Sequence, residues 1–171
     1  MQPEEVIAQV KERARANFRA GLNCAESVFA AFISVIDTGL PPEAMRLMTG
    51  FGGGGGQFGD TCGALAGALA ALGAIYGRRE IPPDRKAGRK QMYGEPGLYR
   101  IFNRLPNEFQ RRFGSTQCRV LTAAWKNVWL CSEHLSFCGN LTIEAAGLAA
   151  EMAVPKDLER WGSEPFGQRH P

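Results

Sequence analysis

The stretch that most constrains this 171-residue chain is 50–67, Gly-Phe-Gly-Gly-Gly-Gly-Gly-Gln-Phe-Gly-Asp-Thr-Cys-Gly-Ala-Leu-Ala-Gly. Glycine is used where a backbone needs positive φ or must approach another group closely, and ordering it is entropically expensive. Five in a row, Gly52 to Gly56, are a poor choice for packing alone. Asp60 or Thr61 can cap the helix that follows, so Cys62 is expected in its first turn. There the unpaired N–H groups and the helix dipole favour an anion, a thiolate included. Residues 62–76 read as a helix with few bulky side chains, apolar on all sides and therefore central. Each interior glycine there costs about 1 kcal/mol relative to alanine, which implies that something needs the space.

The remaining periodicity is helical throughout. Val6, Ile7, Val10, Ala14 and Phe18 make one apolar stripe over 3–20, closed by Gly21. Asn23 caps a second helix over 24–37, with Cys24 on its buried face, and Pro41-Pro42 start a short third over 42–48. Helical patterns follow over 84–93 and over 98–113, the latter interrupted by Pro106, which is expected to kink or divide it. Ser115 is a candidate cap that places Cys118 at the third position of the next helix. The spacing leaves 126–137 irregular, with Cys131 and His134, and predicts a final helix over 141–154 capped by Asn140, with Cys138 just ahead. No strand alternation, repeat or linker is visible. The expected fold is all-α, a single-domain bundle over 1–154 with a polar C-terminal tail over 155–171.

Composition narrows the function classes. With 44% hydrophobic and 22% charged residues the chain has the balance of a folded domain. A net charge of +3, with basic residues read as scattered, gives no reason to expect nucleic acid. Acidic and basic residues interrupt the N-terminus, and the apolar run 64–76 is shorter than the ~20 residues of a membrane span, so a cytoplasmic chain without membrane association is expected. An odd number of cysteines (Cys24, Cys62, Cys118, Cys131, Cys138) without a secretory signal argues against a disulfide framework. Metal ligands, redox thiols and small buried hydrophobes remain as their uses.

Placement distinguishes them in part. Cys24, Cys62 and Cys118 each fall near the start of an expected helix, and Cys138 near another, where N–H groups stabilise thiolates and thiolate-ligated clusters. An ordinary core cysteine is the alternative for each, Cys24 above all. Four blocks, 23–28, 50–54 with the Cys62-Gly63-Ala64-Leu65-Ala66-Gly67 motif, 113–121, and Cys138 with 143–146, resemble a family of redox-active proteins named for its C…GCAxxG…C…C cysteines. The resemblance spans roughly 21–152. It implies a helical domain with four defining cysteines and a presumed redox role.

A more distant similarity, to the domain accompanying the haem part of split-Soret cytochromes, implies an iron–sulfur cluster. No C-x-x-C-H is present, so covalent haem is not expected.

Three functions follow as expectations. In the first, Cys24, Cys62, Cys118 and Cys138 ligate an iron–sulfur cluster, with Gly53, Gly54 and Gly63 leaving room for it. In the second, the protein is a cofactor-free thiol–disulfide oxidoreductase and Cys62 its catalytic low-pKa thiolate. In the third, a non-redox helical domain binds zinc through the Cys131-x-x-His134-x-x-x-Cys138 spacing with Cys118 as the fourth ligand. The glycine loop lacks a Gly-Lys-Ser/Thr ending, so nucleotide is not expected. An unidentified redox partner protein is expected, and self-association is open.

Overall fold

The computed structural model describes residues 2–154, 157–163 and 165–167. Its elements are α1 (Pro3–Arg19), α2 (Cys24–Val35), a 3-10 segment (Pro42–Phe51), α3 (Gly52–Gly55), α4 (Gly63–Tyr76), α5 (Arg85–Tyr93), α6 (Leu98–Phe113), α7 (Cys118–Leu121), a 3-10 turn (Ala123–Trp125), α8 (Ser132–Ala153) and α9 (Leu158–Ser163). Among the described residues there is no strand, only an isolated antiparallel bridge between Thr61 and Gln117. The all-α expectation is met.

Helices α1, α2, α4 and α8 pack on one another, and α6 lies against α4 and α8. The apolar stripes close one core: Val10 and Ala14 from α1, Val28 and Phe32 from α2, Leu65, Ala68 and Leu72 from α4. Ile101, Leu105 and Phe109 come from α6, and Ala145, Leu148 and Ala149 from α8. α4 touches α2, α6 and α8 together, the central position its uniform apolarity predicted. At its far end the Tyr76 hydroxyl donates to the Met152 carbonyl at 2.6 Å, tying the ends of α4 and α8.

Several boundaries differ from the sequence reading. The segment read as a short helix over 42–48 is a 3-10 segment reaching Phe51. Pro106 lies inside a continuous α6. One missing N–H is tolerated there because the buried Ile101–Leu105–Phe109 face holds both halves in line. α8 begins at Ser132, nine residues before the expected start at 141, so the irregular segment over 126–137 is half helix. Gly139-Asn140 reads as a break, but Gly139 sits where a Cβ would lie 3.3 Å from the Phe18 ring. The glycine lets α1 close on an unbroken α8. The expected tail over 155–171 is in part folded: α9 packs on α6 and buries Trp161 to 6% exposure. Residues 155, 156, 164 and 168–171 of that tail, His170 among them, lie outside the described residues. No helix among the described residues is long and apolar enough to cross a membrane.

Candidate functional site

The site begins with the end of the 3-10 segment being tied to the start of α2. Asn23 caps α2 by accepting from the amides of Ala25 at 2.9 Å and Glu26 at 3.0 Å, and its own amide donates to the Glu26 carboxylate. Outward, Asn23 Nδ2 donates to the Thr49 carbonyl at 3.0 Å and Thr49 Oγ1 to Glu26 at 2.7 Å. Cys24, the first residue of α2, is thereby held against the glycine loop.

That loop is left-handed. Gly53, Gly54, Gly55 and Gly56 have φ of +64°, +75°, +86° and +59°, so α3 is a left-handed turn and not a helical continuation. It is closed by Gly59 and Asp60 amides donating to the Gly53 and Gly54 carbonyls, each at 3.0 Å. The chain then runs antiparallel to the segment before α7. The Cys62 amide donates to the Thr116 carbonyl at 2.8 Å, the Cys118 amide to Asp60 at 2.7 Å, and the Arg119 amide to Gly59 at 2.9 Å. This short pairing sets Cys62 beside Cys118, although 56 residues separate them in the chain.

Cys24, Cys62, Cys118 and Cys138 all line one cavity of about 520 Å3. Gly53 lines it too. Gly54 lies behind Cys118, where a Cβ would sit 2.8 Å from the Cys118 Cβ. A Cβ on Gly63 would come 2.5 Å from the Cys24 sulfur. Cys131 is not part of the lining: its sulfur accepts the His134 amide at 3.5 Å and caps α8. Among the described residues, no three His, Cys, Asp or Glu side chains are gathered as one metal ion requires.

Position relative to the helices corrects the expected thiol chemistry. Cys62 is the N-cap of α4, not a first-turn residue. Cys118 opens α7 instead of standing third in a helix. Cys138 lies in the second turn of α8 and not ahead of a helix. Burial is the main reason that the Cys62 thiol is pushed up to about 12, with Cys24 adding repulsion and the Leu65 and Ala64 amides opposing it. Burial also raises Cys138 to about 12, reinforced by charge on Cys24, Cys62 and Cys118. Cys24 and Cys118 are raised for the same first cause, opposed at Cys24 by amides led by that of Gly53 and at Cys118 by the Thr122 hydroxyl. Desolvation therefore outweighs the helix termini, which runs against the low-pKa thiolate expected at Cys62.

These raised values have a direct consequence for stability. The folded protein holds the thiols neutral, so below the ordinary thiol value of 9.0 their contribution is complete. As pH climbs from 9 towards 12 the unfolded chain ionises first, and the contribution is lost. The metal-free protein should lose about 2–4 kcal/mol over that range through Cys62 alone. Denaturant titrations at pH 8 and pH 11 would measure it, and Cys62→Ala should reduce the difference while the other three thiols keep their share. An unchanged slope would overturn the assignment.

His134 is the neighbour that sequence reasoning undervalued. It is 3% exposed, lines the cavity, and its Nε2 stands 3.3 Å from the Cys138 sulfur. Its Nδ1 donates to the Trp129 carbonyl, which fixes Nε2 as the nitrogen facing Cys138. The Trp129 and Trp125 rings flank the imidazole at 4.3 and 5.7 Å. The i,i+4 spacing of His134 and Cys138 was the available signal, hidden because their segment read as irregular.

No curated protein and no solved structure matches the chain. Residues 22–152 match the family described as "Putative redox-active protein (C_GCAxxG_C_C)". That span holds the four cavity cysteines and every element that positions them, and the chain belongs to this redox-active family.

Proposed function

We propose that the four-cysteine cavity holds an iron–sulfur cluster, and that the protein transfers electrons to or from a partner protein. The observation carrying this reading is the convergence of Cys24, Cys62, Cys118 and Cys138 on one cavity, a Cys₄ donor set of the type such clusters use. A bound cluster would supply one-electron redox chemistry. The chain supplies the sulfurs, the amide N–H groups of Gly53 and Ala64 beside Cys24, and bare glycines where a Cβ would fill the space. Those amides are suited to stabilising negative charge on cluster-ligating sulfur.

Two features favour this over the alternatives. The four sulfurs share one glycine-lined cavity, whereas Cys131, a member of the zinc spacing, stands outside it and caps α8. Thiols held neutral by burial are slow attackers of disulfides, but a cationic metal offsets that burial and displaces their protons.

Anaerobic purification followed by iron and acid-labile sulfide analysis and an absorption spectrum tests the proposal. Serine at any of the four positions should reduce bound iron at least about tenfold. Cys131→Ser should retain it, since serine also caps a helix. Colourless protein after reconstitution, or equal iron loss in Cys131→Ser, would count against the cluster.

A further inference from the structure

We propose that α5 and the loop before it form a docking surface for an anionic lipid bilayer. Arg78, Arg79, Arg85, Lys86, Arg89 and Lys90 are all exposed, and among the described residues none has an ion-pair partner. The only carboxylates within this segment are Glu80 and Asp84. Asp84 is engaged in capping α5, accepting from the Ala87 amide at 2.8 Å. Six cations against two carboxylates leave these thirteen residues a net charge of +4, which favours a polyanionic partner.

The geometry gathers them on one face. At 100° per residue, Arg85, Arg89, Lys86 and Lys90 cover a continuous arc of about 140°, with Tyr93 in its middle. Ala87 and Gly88, outside this arc, and Met92, at its edge beside Arg85, are the half-buried residues of α5. The loop packs against Gly88 at the edge of this face, and Arg78 and Pro82 line one shallow depression with Arg85, Arg89 and Tyr93. At the loop's apex Ile81 is 94% exposed, and Tyr93 is 64% exposed.

The apolar tip selects the bilayer among polyanions. A phosphate backbone offers nothing to a fully exposed isoleucine, whereas an interface accepts an apolar side chain below a collar of Lys and Arg, with tyrosine at headgroup depth. The site follows the C-terminal end of α4, and Cys62 caps the other end fourteen residues away. A protein docked here would keep its cysteine cavity away from the lipid.

Sedimentation of the full chain with vesicles tests this without reference to any cofactor. Vesicles of phosphatidylcholine containing 30% phosphatidylglycerol should bind the protein at low salt, and pure phosphatidylcholine should not. Arg85→Glu/Arg89→Glu should lower partitioning by about tenfold or more, and 0.5 M salt should do the same. Ile81→Ser should lower it about threefold while leaving the melting temperature unchanged. Absence of binding to the anionic vesicles, or binding insensitive to the charge reversal, would overturn the proposal. Equal binding by Ile81→Ser, or preference for duplex DNA over the vesicles, would overturn it in favour of a general polyanion surface.

Discussion

Gly54→Ala is expected to destabilise the protein by about 3 kcal/mol or more, lowering the melting temperature by about 10 °C. Two effects add at this position. Gly54 has φ of +75°, a conformation that costs an alanine about 1–2 kcal/mol. Its Cβ would also lie 2.6 Å from the Asp60 amide nitrogen and 2.8 Å from both the Asp60 carbonyl oxygen and the Cys118 Cβ. The first two are backbone atoms fixed by the Asp60–Gly54 and Cys118–Asp60 hydrogen bonds, so neither yields cheaply. Relief by outward movement of the loop would separate Cys118 from its companions, and under the proposed cluster binding iron loading should fall with stability. Thermal melts with paired iron analysis would measure both. Gly55→Ala is the control, since φ there is +86° but nothing lies within 4 Å of its Cβ. A Gly54→Ala loss no larger than that of Gly55→Ala would remove the steric part of the argument.

Gly67→Ala is expected to cost about 3 kcal/mol, while Gly73→Ala, two turns along the same helix, should stabilise by about 0.5–1 kcal/mol. The sign is set by what each Cβ meets. At Gly67 it would fall 2.5 Å from the Ala25 carbonyl oxygen and 3.1 Å from the Ala25 Cα. That contact lies in the first turn of α2, beside Cys24. Both helices are buried along this contact, so moving apart would open a gap between them. At Gly73 nothing lies within 4 Å, and only the intrinsic helix preference of alanine remains. Denaturant melts of the two variants decide the matter, and the same sign for both would sink the close-approach explanation. The bareness of α4 thus has two origins: Gly63 and Gly67 answer to α2, and Gly73 to nothing visible in the structure.

Much of the fold was legible because apolar side chains recurred at helical spacing and polar caps marked helix starts. Asn23 before Cys24 and Asp84 before α5 are cases where a side chain satisfies its own local amides, so sequence alone suffices. The start of α8 was missed because Asn140 reads as a local N-cap, whereas in the fold the helix runs through it and Gly139 makes room for Phe18. The cationic strip was also present in the order of residues 78–90. It was overlooked because a net charge of +3 averages over the whole chain. What no local pattern reveals is that, among the described residues, those six cations form no ion pair.

The cysteine site divides in the same way. The amino-acid order singled out the four cysteines that line the cavity, the helical elements that carry them and the glycine loop that turns left-handed. Tertiary structure alone decided that residues 59–62 pair with 116–119, that α8 presents Cys138 together with His134, and that burial raises the thiols. The reason is physical: helix caps and glycine turns act within a few residues, but desolvation depends on everything packed around a sulfur. At Cys62 the local dipole favours a thiolate, and the surrounding core outweighs it.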